Sequence, residues 1–511
     1  MRTKKSIINS SANIVSLFLS FIPNLIVRKV FLDSLGSESL GLLSLYSNII
    51  GWMSVLELGI GSAIIFSLYK PYANNDFESL KSYIKYYGIF YRKTGLIIII
   101  SSVLISPFMH FFIEGNMNNT LISTGFILFS INTFISYMFS HKLCILNVSQ
   151  ESYIVTLTST LSKLIISILQ FIMLKLYPNF YIYIIIQIII NLIYYIGINI
   201  YISRRFKWIN DNCKDIDNDE KDKLFKNMKS LFMHRVGGLV LLSTDNIIIS
   251  KFLGLITLSK YTNYFTVLNA IQSVVTSIVN GITASVGNLV AEGNKEKSYE
   301  IHKNLFFMIF WITSFITISL YNTIDQFIVM WVGKNNLIDN TTICIILINI
   351  YLTCLREATD QFKYAAGLFY QDRYAPIFEA IINLVVSLVL VNKIGLAGVF
   401  IGTFISNILV VFWIKPYIVY KYVFNINIIE YFKMYFKYVL IGIIPLFVTS
   451  YVTSYFKYKY GITSFIINCI LNIVIINSIY IIIFYKSKEF KYFISIVKKI
   501  LKRKHKMKIK I

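Results

Sequence analysis

The sequence predicts an all-α polytopic membrane protein of about 14 transmembrane helices. Of its 511 residues, 56% are hydrophobic and only 14% are charged, whereas a soluble domain carries roughly 25% charged residues. The chain also contains many apolar runs of the roughly 20 residues that a helix needs to cross about 30 Å of hydrocarbon. Stretches such as 184–192 are apolar on every face, which separates them from the alternating strands of an outer-membrane barrel.

The apolar runs define the predicted spans. They lie at about 7–31, 40–68, 89–112, 121–145, 153–176, 181–202, 231–253, 260–289, 304–322, 343–364, 376–391, 397–414, 438–455 and 462–485. The first run follows a short basic N-terminus and has no small-residue cleavage site, so we interpret it as a retained span rather than a signal peptide.

The positive charges predict the orientation. With the N-terminus inside and 14 spans, the inner segments carry 37 of the 49 Lys and Arg residues, whereas the outer segments and their flanks carry 9. Because cytoplasmic loops are enriched in Lys and Arg, both termini should face the cytoplasm. We therefore expect a multi-pass protein of the bacterial cytoplasmic (inner) membrane.

Several functional classes are excluded by what the sequence lacks. The net charge of +24 comes from cations that alternate with apolar runs, so it does not indicate a nucleic-acid partner. The five cysteines are scattered without a C-x-x-C pair, and the five histidines form no H-E-x-x-H, so no metal site is predicted. The sequence has no P-loop. We expect neither an enzyme nor a bound cofactor.

The charged stretch 204–229 separates two halves that resemble each other. Asp33-Ser-Leu-Gly precedes the second span, and Lys251-Phe-Leu-Gly precedes the eighth. Both copies run in the same direction, which predicts parallel repeats. The predicted organisation is an N-terminal six-helix lobe (1–202), a cytoplasmic linker (203–230), a C-terminal six-helix lobe (231–414), a loop with two extra helices (415–485) and a basic cytoplasmic tail (486–511).

Five stretches along the chain resemble one protein family. They are LGSESLGLLSLYSNIIGWMSVLELGIGSAIIFSLYKPYANND (35–76), STDNIIISKFLGLITLSKYTNYF (243–265), ASVGNLVAEGNKEK (284–297), VMWVGKNNLI (329–338) and GLFYQDRYAPIFEAIINLVVSLVL with GLAGVFIGTFISN (367–407). In this order they are similar to the polysaccharide transporter (O-antigen flippase, Wzx-type) family. That family belongs to the multidrug/oligosaccharidyl-lipid/polysaccharide exporter superfamily.

The resemblance implies two six-helix lobes around a central cavity, with two further helices at the C-terminus. It also implies a flippase that moves undecaprenyl-pyrophosphate-linked oligosaccharide units across the membrane by alternating access, for O-antigen of lipopolysaccharide, capsule or another surface polysaccharide. The expected partners are this substrate, membrane lipids and, as candidates, a polysaccharide polymerase and a chain-length regulator. The alternatives are a multidrug extruder of the same superfamily and a membrane polysaccharide polymerase or glycosyltransferase.

Cations inside or at the ends of spans are candidates for binding the pyrophosphate, because burying them without a role is costly. Lys163 lies among hydroxyl residues of the fifth span, where an interhelical ion pair is the alternative. Arg356 is four residues before Asp360, so the two can instead pair with each other. Arg28 could snorkel to the outer interface, and Arg235 could act as a topological anchor.

Acidic residues in the spans are candidates for coupling transport to a proton or sodium gradient. These are Asp245 in the seventh span, Glu57 in the second and Asp360 in the tenth. A salt bridge or a hydrogen-bonded helix contact is the alternative for each of them. Separately, apolar residues at helical spacing predict that the segment 76–91 lies along the inner membrane surface.

Overall fold

The computed structural model describes residues 2–57, 60–115, 117–280, 282–368, 370–457 and 461–495, and every secondary-structure element in these ranges is helical. The α-helices are α1 Arg2–Met53, α2 Ile60–Ala73, α3 Phe77–Ile105, α4 Asn119–Phe139, α5 Cys144–Val148, α6 Ser152–Leu176, α7 Phe180–Arg205, α8 Asn218–Asn280, α9 Thr283–Ala291, α10 Lys295–Val332, α11 Asn340–Ala365, α12 Ala375–Ile394, α13 Leu396–Ser406, α14 Phe412–Val419, α15 Ile429–Lys457 and α16 Ile462–Phe484. Two π-helical turns, Asn407–Val411 and Tyr420–Phe424, flank α14.

Two glycines divide the two longest helices. Among the described residues, 11 helical segments are long and apolar enough to cross a membrane, and α1 provides one of them. The backbone of α1 leaves helical geometry at Gly36 (φ 81°, ψ 172°), and that of α8 does so at Gly254 (φ 79°, ψ 168°). When the parts on either side of each glycine are counted separately, the helices account for the predicted number of about 14 spans.

The first two predicted spans are joined without a loop. The sequence suggested a connection over 32–39, but α1 is broken only at Gly36. A positive φ with ψ near 180° is open essentially to glycine alone, so one residue redirects the chain where other residue types would need a turn. The same holds between the seventh and eighth predicted spans at Gly254.

Residues with left-handed φ mark an internal repeat. In the first half these are Gly36, Asn75, Gly115 and Gln150, and in the second half Gly254, Gly293, Gly333 and Gly367 recur in the same order. The first three pairs are each separated by 218 residues and the last by 217. Insertions are therefore almost absent over more than 100 residues, which confirms the parallel repeat that the sequence suggested from its Leu-Gly pairs.

The chain forms two compact units, residues 1–259 and 260–511. The part of α8 before Gly254 contacts the first of them: Asn246 Nδ2 donates to Asn48 Oδ1 (2.9 Å), and the carbonyl of Ser250 accepts from the N–H of Glu114 (3.1 Å). The lobe and linker boundaries given above from the sequence stay a prediction.

The predicted surface segment 76–91 is instead the first half of α3 and is packed inside the first unit. Leu80 and Ile84 are almost fully buried in an apolar cluster with Ile216. The chain that follows α7 folds back over this half of α3, where Lys85 Nζ contacts Asp215 Oδ1 (2.8 Å). The amphipathic pattern was read correctly, but its apolar face meets protein rather than lipid.

In the second unit, the two additional helices α15 and α16 are attached to α10 by hydrogen-bonded side chains. Asn322 Nδ2 donates to Thr449 Oγ1 (3.0 Å) and to Asn472 Oδ1 (2.7 Å). One turn further along α10, Gln326 Oε1 accepts from Asn468 Nδ2 (3.0 Å). Because lipid is as apolar as leucine, helices in a membrane gain little from apolar contact alone, and such polar contacts fix which faces pack together.

Candidate functional site

Arg356 and Asp360 lie one turn apart on α11, inside the second unit. Arg356 Nε donates to Asp360 Oδ2 (3.3 Å), and Arg356 NH1 donates to Asn407 Oδ1 (3.1 Å) in the π-helical turn before α14. Both charged side chains are buried. The i,i+4 pair that their spacing allowed is therefore formed, and the contact of Arg356 with pyrophosphate stays a prediction.

Lys415 of α14 joins this pair by donating to the same Asp360 oxygen (3.3 Å). Asp360 thus accepts hydrogen bonds from two cations, one on its own helix and one 55 residues later. Its second oxygen, Oδ1, is buried and has no hydrogen-bond partner among the residues that the structure describes. A carboxylate held in this way connects α11 to α14.

The end of α11 carries a second buried ion pair. Lys363 Nζ donates to Asp372 Oδ2, and the two side chains are 3% and 1% exposed. This pair connects the end of α11 to the turn before α12. Together with two partly buried acids that interact electrostatically with Arg356, these residues form what we call the C-terminal charge cluster. Its members are Arg356, Lys363, Lys415, Glu357, Asp360, Asp372 and Glu379.

Sequence reasoning missed most of this cluster. Lys363 and Lys415 each stand at the end of an apolar run, so the sequence pattern places them among cytoplasmic loop cations. The structure instead buries Lys363 and partly buries Lys415 inside the second unit. Two acids in the sequence could have revealed the cluster. Asp372 lies beside an apolar span and Glu379 lies inside it, where an unpaired carboxylate is costly. Their partners could not be chosen from sequence alone.

Lys163 occupies a different setting, in the first unit. Its side chain is exposed, and it has no described hydrogen bond or ion pair. The apolar stripe of α6 that includes Leu161 (58% exposed) and Ile168 (58% exposed) points elsewhere. At 3.6 residues per turn, Lys163 lies about 200° around the helix from Leu161, on the face of the buried Gln170. The exposed side chain of Lys163 therefore does not lie on the exposed apolar face of α6.

The structure describes the surroundings of Arg28 but not those of the Arg235 side chain. Arg28 is partly buried in α1 and interacts electrostatically with Tyr183, whose ring packs edge-on against Phe31 (4.7 Å between centroids). Arg235 lies in α8, but its side chain is outside the residues whose side chains are described. Lys163, Arg28 and Arg235 belong to the first unit and Arg356 to the second.

The three predicted coupling acids lie at separate places. Glu57 accepts hydrogen bonds from the hydroxyls of Tyr91 (2.7 Å) and Tyr137 (3.4 Å). Asp245 is buried in α8 beside Asn246. Asp360 belongs to the C-terminal charge cluster. Among the residues that the structure describes, no group of three or more His, Cys, Asp or Glu side chains is arranged to hold a metal ion.

Comparison with known proteins identifies the fold. No family profile matches the sequence, and no curated protein matches it either. The structure is similar to the lipid II flippase MurJ in an inward closed conformation, with a TM-score of 0.71 and 16% identity over 94% of this chain and 99% of that one. It is also similar to an inward-facing multidrug resistance MATE family transporter of the MOP superfamily (TM-score 0.63, 15% identity, 78% of this chain and 95% of that one).

A third similar structure is a MOP superfamily transporter from Pyrococcus furiosus, with a TM-score of 0.57 and 16% identity over 80% of this chain and 93% of the other. These solved structures are transporters or flippases rather than enzymes. The chain therefore has the all-helical, many-spanning fold that MurJ and the MATE transporters share.

Proposed function

We propose that this protein is a flippase that translocates undecaprenyl-pyrophosphate-linked oligosaccharide units across the bacterial cytoplasmic membrane by alternating access. The translocated units would be used to build O-antigen of lipopolysaccharide, capsule or another surface polysaccharide, as in the Wzx-type family that the sequence resembles. Both termini would lie in the cytoplasm. A polysaccharide polymerase and a chain-length regulator are the proposed protein partners.

The observation that carries this proposal is how much of the chain each comparison covers. MurJ, whose name describes a flippase of a lipid-linked substrate, matches 94% of this chain, whereas the MATE transporter is itself 95% covered but matches only 78%. About a fifth of the present chain therefore lies outside the MATE likeness. This difference favours a flippase of lipid-linked substrates over the multidrug extruder.

The placement of Lys163 supports a role in binding the headgroup. Moving a diphosphate through hydrocarbon is prohibitive unless cations and water accompany it. Lys163 is an exposed cation in a membrane-spanning helix, on the face away from the exposed apolar stripe. We propose that it contacts the pyrophosphate, with Arg28, Arg235 and Arg356 as further candidates.

Coupling to an ion gradient is proposed for one of the buried acids. A ligand shifts a conformational equilibrium only by its differential affinity for the two states, so a substrate held equally in both needs another driving force. Protonation or Na⁺ binding at Asp360, Asp245 or Glu57 would supply it. Asp360 is a candidate because no described residue donates a hydrogen bond to its buried Oδ1.

The test is transport by the purified protein in proteoliposomes, supplied with either a fluorescent undecaprenyl-pyrophosphate oligosaccharide or a lipophilic drug cation. We expect flipping of the lipid-linked sugar and no drug transport. Lys163→Ala should slow flipping at least about tenfold, because a hydrogen bond to a charged group contributes about 1.5–3 kcal/mol. Lys163→Arg should retain most of the activity.

Lys175→Ala provides the matched control, since Lys175 is an exposed lysine at the end of the same helix. Transport of the drug cation alone would establish the extruder, and formation of new glycosidic bonds would establish the polymerase. Normal flipping by a well-folded Lys163→Ala/Arg356→Ala variant would refute the pyrophosphate assignment and leave both residues in structural roles.

A further inference from the structure

The second unit carries an open groove that none of the predicted site residues lines. Its volume is about 820 Å³, within the range of about 300–1,000 Å³ that small-molecule sites occupy. It is formed by the turn before α12 on one side and by α14 and the following π-helical turn on the other. The lining residues are Tyr370, Gln371, Arg373, Trp413, Ile414, Tyr417, Ile418, Tyr422 and Ile428.

A stacked arginine stands at one side of the groove. The guanidinium of Arg373 lies 3.7 Å from the ring centroid of Tyr370 and 4.7 Å from that of Tyr374. Arg373 NH1 donates to the carbonyl of Tyr370 (3.2 Å). No carboxylate among the described residues forms an ion pair with Arg373. Since a guanidinium has five N–H donors in a rigid fork, this one is held in position with donors left for an anion.

The acid next to Arg373 does not neutralise it. Asp372 is turned inward and is 1% exposed, and it is paired with Lys363 of the C-terminal charge cluster. The same ion pair anchors the turn on which Arg373 stands. The sequence Asp-Arg would suggest a neutral turn, but burial of the aspartate leaves the outward charge of the turn positive.

The opposite wall presents a stripe of rings and a second cation. Trp413, Tyr417 and Lys421 follow one another at i,i+4 spacing, and Trp413 and Tyr417 are 50% and 47% exposed. Lys421 Nζ donates to the hydroxyl of Tyr417 (3.1 Å) and lies 5.3 Å from the centroid of its ring. One wall of the groove therefore carries exposed rings together with Arg373. The other wall carries exposed rings, and Lys421 stands behind it, bonded to the lining residue Tyr417.

We propose that this groove binds the sugar-bearing diphosphate headgroup of a lipid-linked oligosaccharide when the substrate first reaches the protein. The inference rests on the proposed function and assigns it a second site, separate from Lys163. Arg373 and Lys421 would hold the phosphate oxygens through charge-assisted hydrogen bonds. The exposed rings would stack against the C–H faces of the first sugar, as aromatic side chains offer large flat apolar surfaces.

The geometry favours this occupant over a resident phospholipid. Interfacial tyrosines, tryptophans and lysines commonly anchor a helix at the headgroup level without forming a site. Here the rings and Arg373 line a concave surface, and Arg373 is fixed by two rings and a carbonyl. The predicted orientation also places 363–373 and 415–437 on the cytoplasmic side, from which the proposed flippase would take up its substrate.

The experiment measures binding to the full-length protein in phosphatidylcholine nanodiscs. The probe is radiolabelled N-acetylglucosamine linked through diphosphate to a farnesyl chain, and unlabelled farnesyl diphosphate and phosphatidylglycerol serve as competitors. We expect Arg373→Ala to weaken probe binding about tenfold or more, and Lys421→Ala to weaken it by a smaller factor. Trp413→Leu should weaken binding of the sugar-bearing probe and leave farnesyl diphosphate binding unchanged.

Lys393→Ala and Tyr451→Ala are the controls, because they remove an exposed cation and an exposed ring of the same unit outside the groove. Binding by Arg373→Ala and Lys421→Ala at the wild-type level would overturn the site. Competition by phosphatidylglycerol equal to that of the unlabelled probe would also overturn it, in favour of a resident lipid. Probe binding with the expected variant effects but without flipping in proteoliposomes would support the groove and refute only the proposed function.

Discussion

The two halves of the internal repeat share a backbone plan but differ in what holds equivalent parts together. Four residues with left-handed φ recur at a separation of 218 or 217 residues, from Gly36 and Gly254 to Gln150 and Gly367. In both units, the chain after the second such residue enters a long helix through a polar cap, Asp76 in one and Asn294 in the other. The positions at which the chain changes direction are therefore the same in both copies of the repeat.

The interior chemistry has diverged around the fourth of these positions. In the second unit, Lys363 and Asp372 form a buried ion pair across the turn at Gly367. The residues 217 positions earlier are Leu146 and Val155, and both belong to the apolar packing of the first unit. The corresponding positions are thus apolar in one unit and an ion pair in the other. The comparison indicates that the residues on either side of the turn must pack together. It does not indicate that they must be charged.

The largest expected effect tests that conclusion directly. Asp372→Ala leaves the buried Lys363 without its carboxylate, so we expect the free energy of unfolding in detergent to fall by about 3–5 kcal/mol. The double variant Lys363→Leu/Asp372→Val, which copies the first unit, should recover most of this loss, because apolar residues can replace a buried ion pair at little cost. Chemical unfolding followed by tryptophan fluorescence measures both.

Asp215→Ala is the matched control, since its ion pair with Lys85 is exposed to solvent and such pairs contribute little. If the double variant were as unstable as Asp372→Ala, the apolar link of the first unit would not be transferable. The ion pair would then have a role beyond connecting the turn to α11.

A smaller effect, equal in the two halves of the repeat, is expected at the two helix breaks. Gly36 and Gly254 adopt φ of 81° and 79° with ψ of 172° and 168°, a region that costs other residues about 1–3 kcal/mol. An added Cβ meets no atom within 4 Å at Gly36 and only the carbonyl oxygen of Glu114, at 3.6 Å, at Gly254. Gly36→Ala and Gly254→Ala should therefore lower the free energy of unfolding by similar amounts, set by backbone strain alone.

Thermal unfolding of the two purified variants checks this prediction, with Gly197→Ala as the control. Gly197 lies inside α7 without a positive φ, and an added Cβ would meet no atom within 4 Å, so Gly197→Ala should not destabilise the protein. A large loss of stability at only one of the two breaks would show that the two glycines share a backbone geometry but do not contribute equally to stability.

The smallest effect concerns the equivalent caps of α3 and α10. Hydrogen bonds from the side chain and N–H of Ser79 lower the pKa of Asp76 below its ordinary value of 3.8. A lowered pKa in the folded state stabilises the protein above the unfolded pKa, and that stabilisation is lost as the pH falls through the folded pKa. Asp76→Ala should thus cost up to about 1 kcal/mol at pH 7 and less near pH 3.

Asn294 accepts from the N–H of Lys297 (2.9 Å) but does not titrate. Asn294→Ala should therefore cost a similar amount at both pH values. Unfolding midpoints of the two variants against the wild type, measured between pH 7 and about pH 3, make this comparison. An equal pH dependence in the two variants would exclude the ionised cap as its source.

The sequence by itself determined that lipid surrounds most of this protein, how many spans it has approximately, and that it contains an internal repeat. Each of these depends on local features that a linear pattern records. Runs of about 20 apolar residues must span a bilayer, and the Leu-Gly pairs at 36 and 254 mark the two places where only glycine allows the chain to redirect without a loop. The spacing of Arg356 and Asp360 likewise allowed their pairing on one helix face to be predicted.

Tertiary structure alone decided which charges face protein and which face water. Lys363, Lys415 and Arg373 all stand near the ends of apolar runs, where a buried cation and a cytoplasmic loop cation have the same sequence pattern. Lys363 is buried against Asp372, Lys415 is partly buried against Asp360, and Arg373 is stacked on tyrosines at the surface. Their environments depend on partners up to 55 residues away, and the energy of a charge is set by what surrounds it in space rather than by its neighbours along the chain.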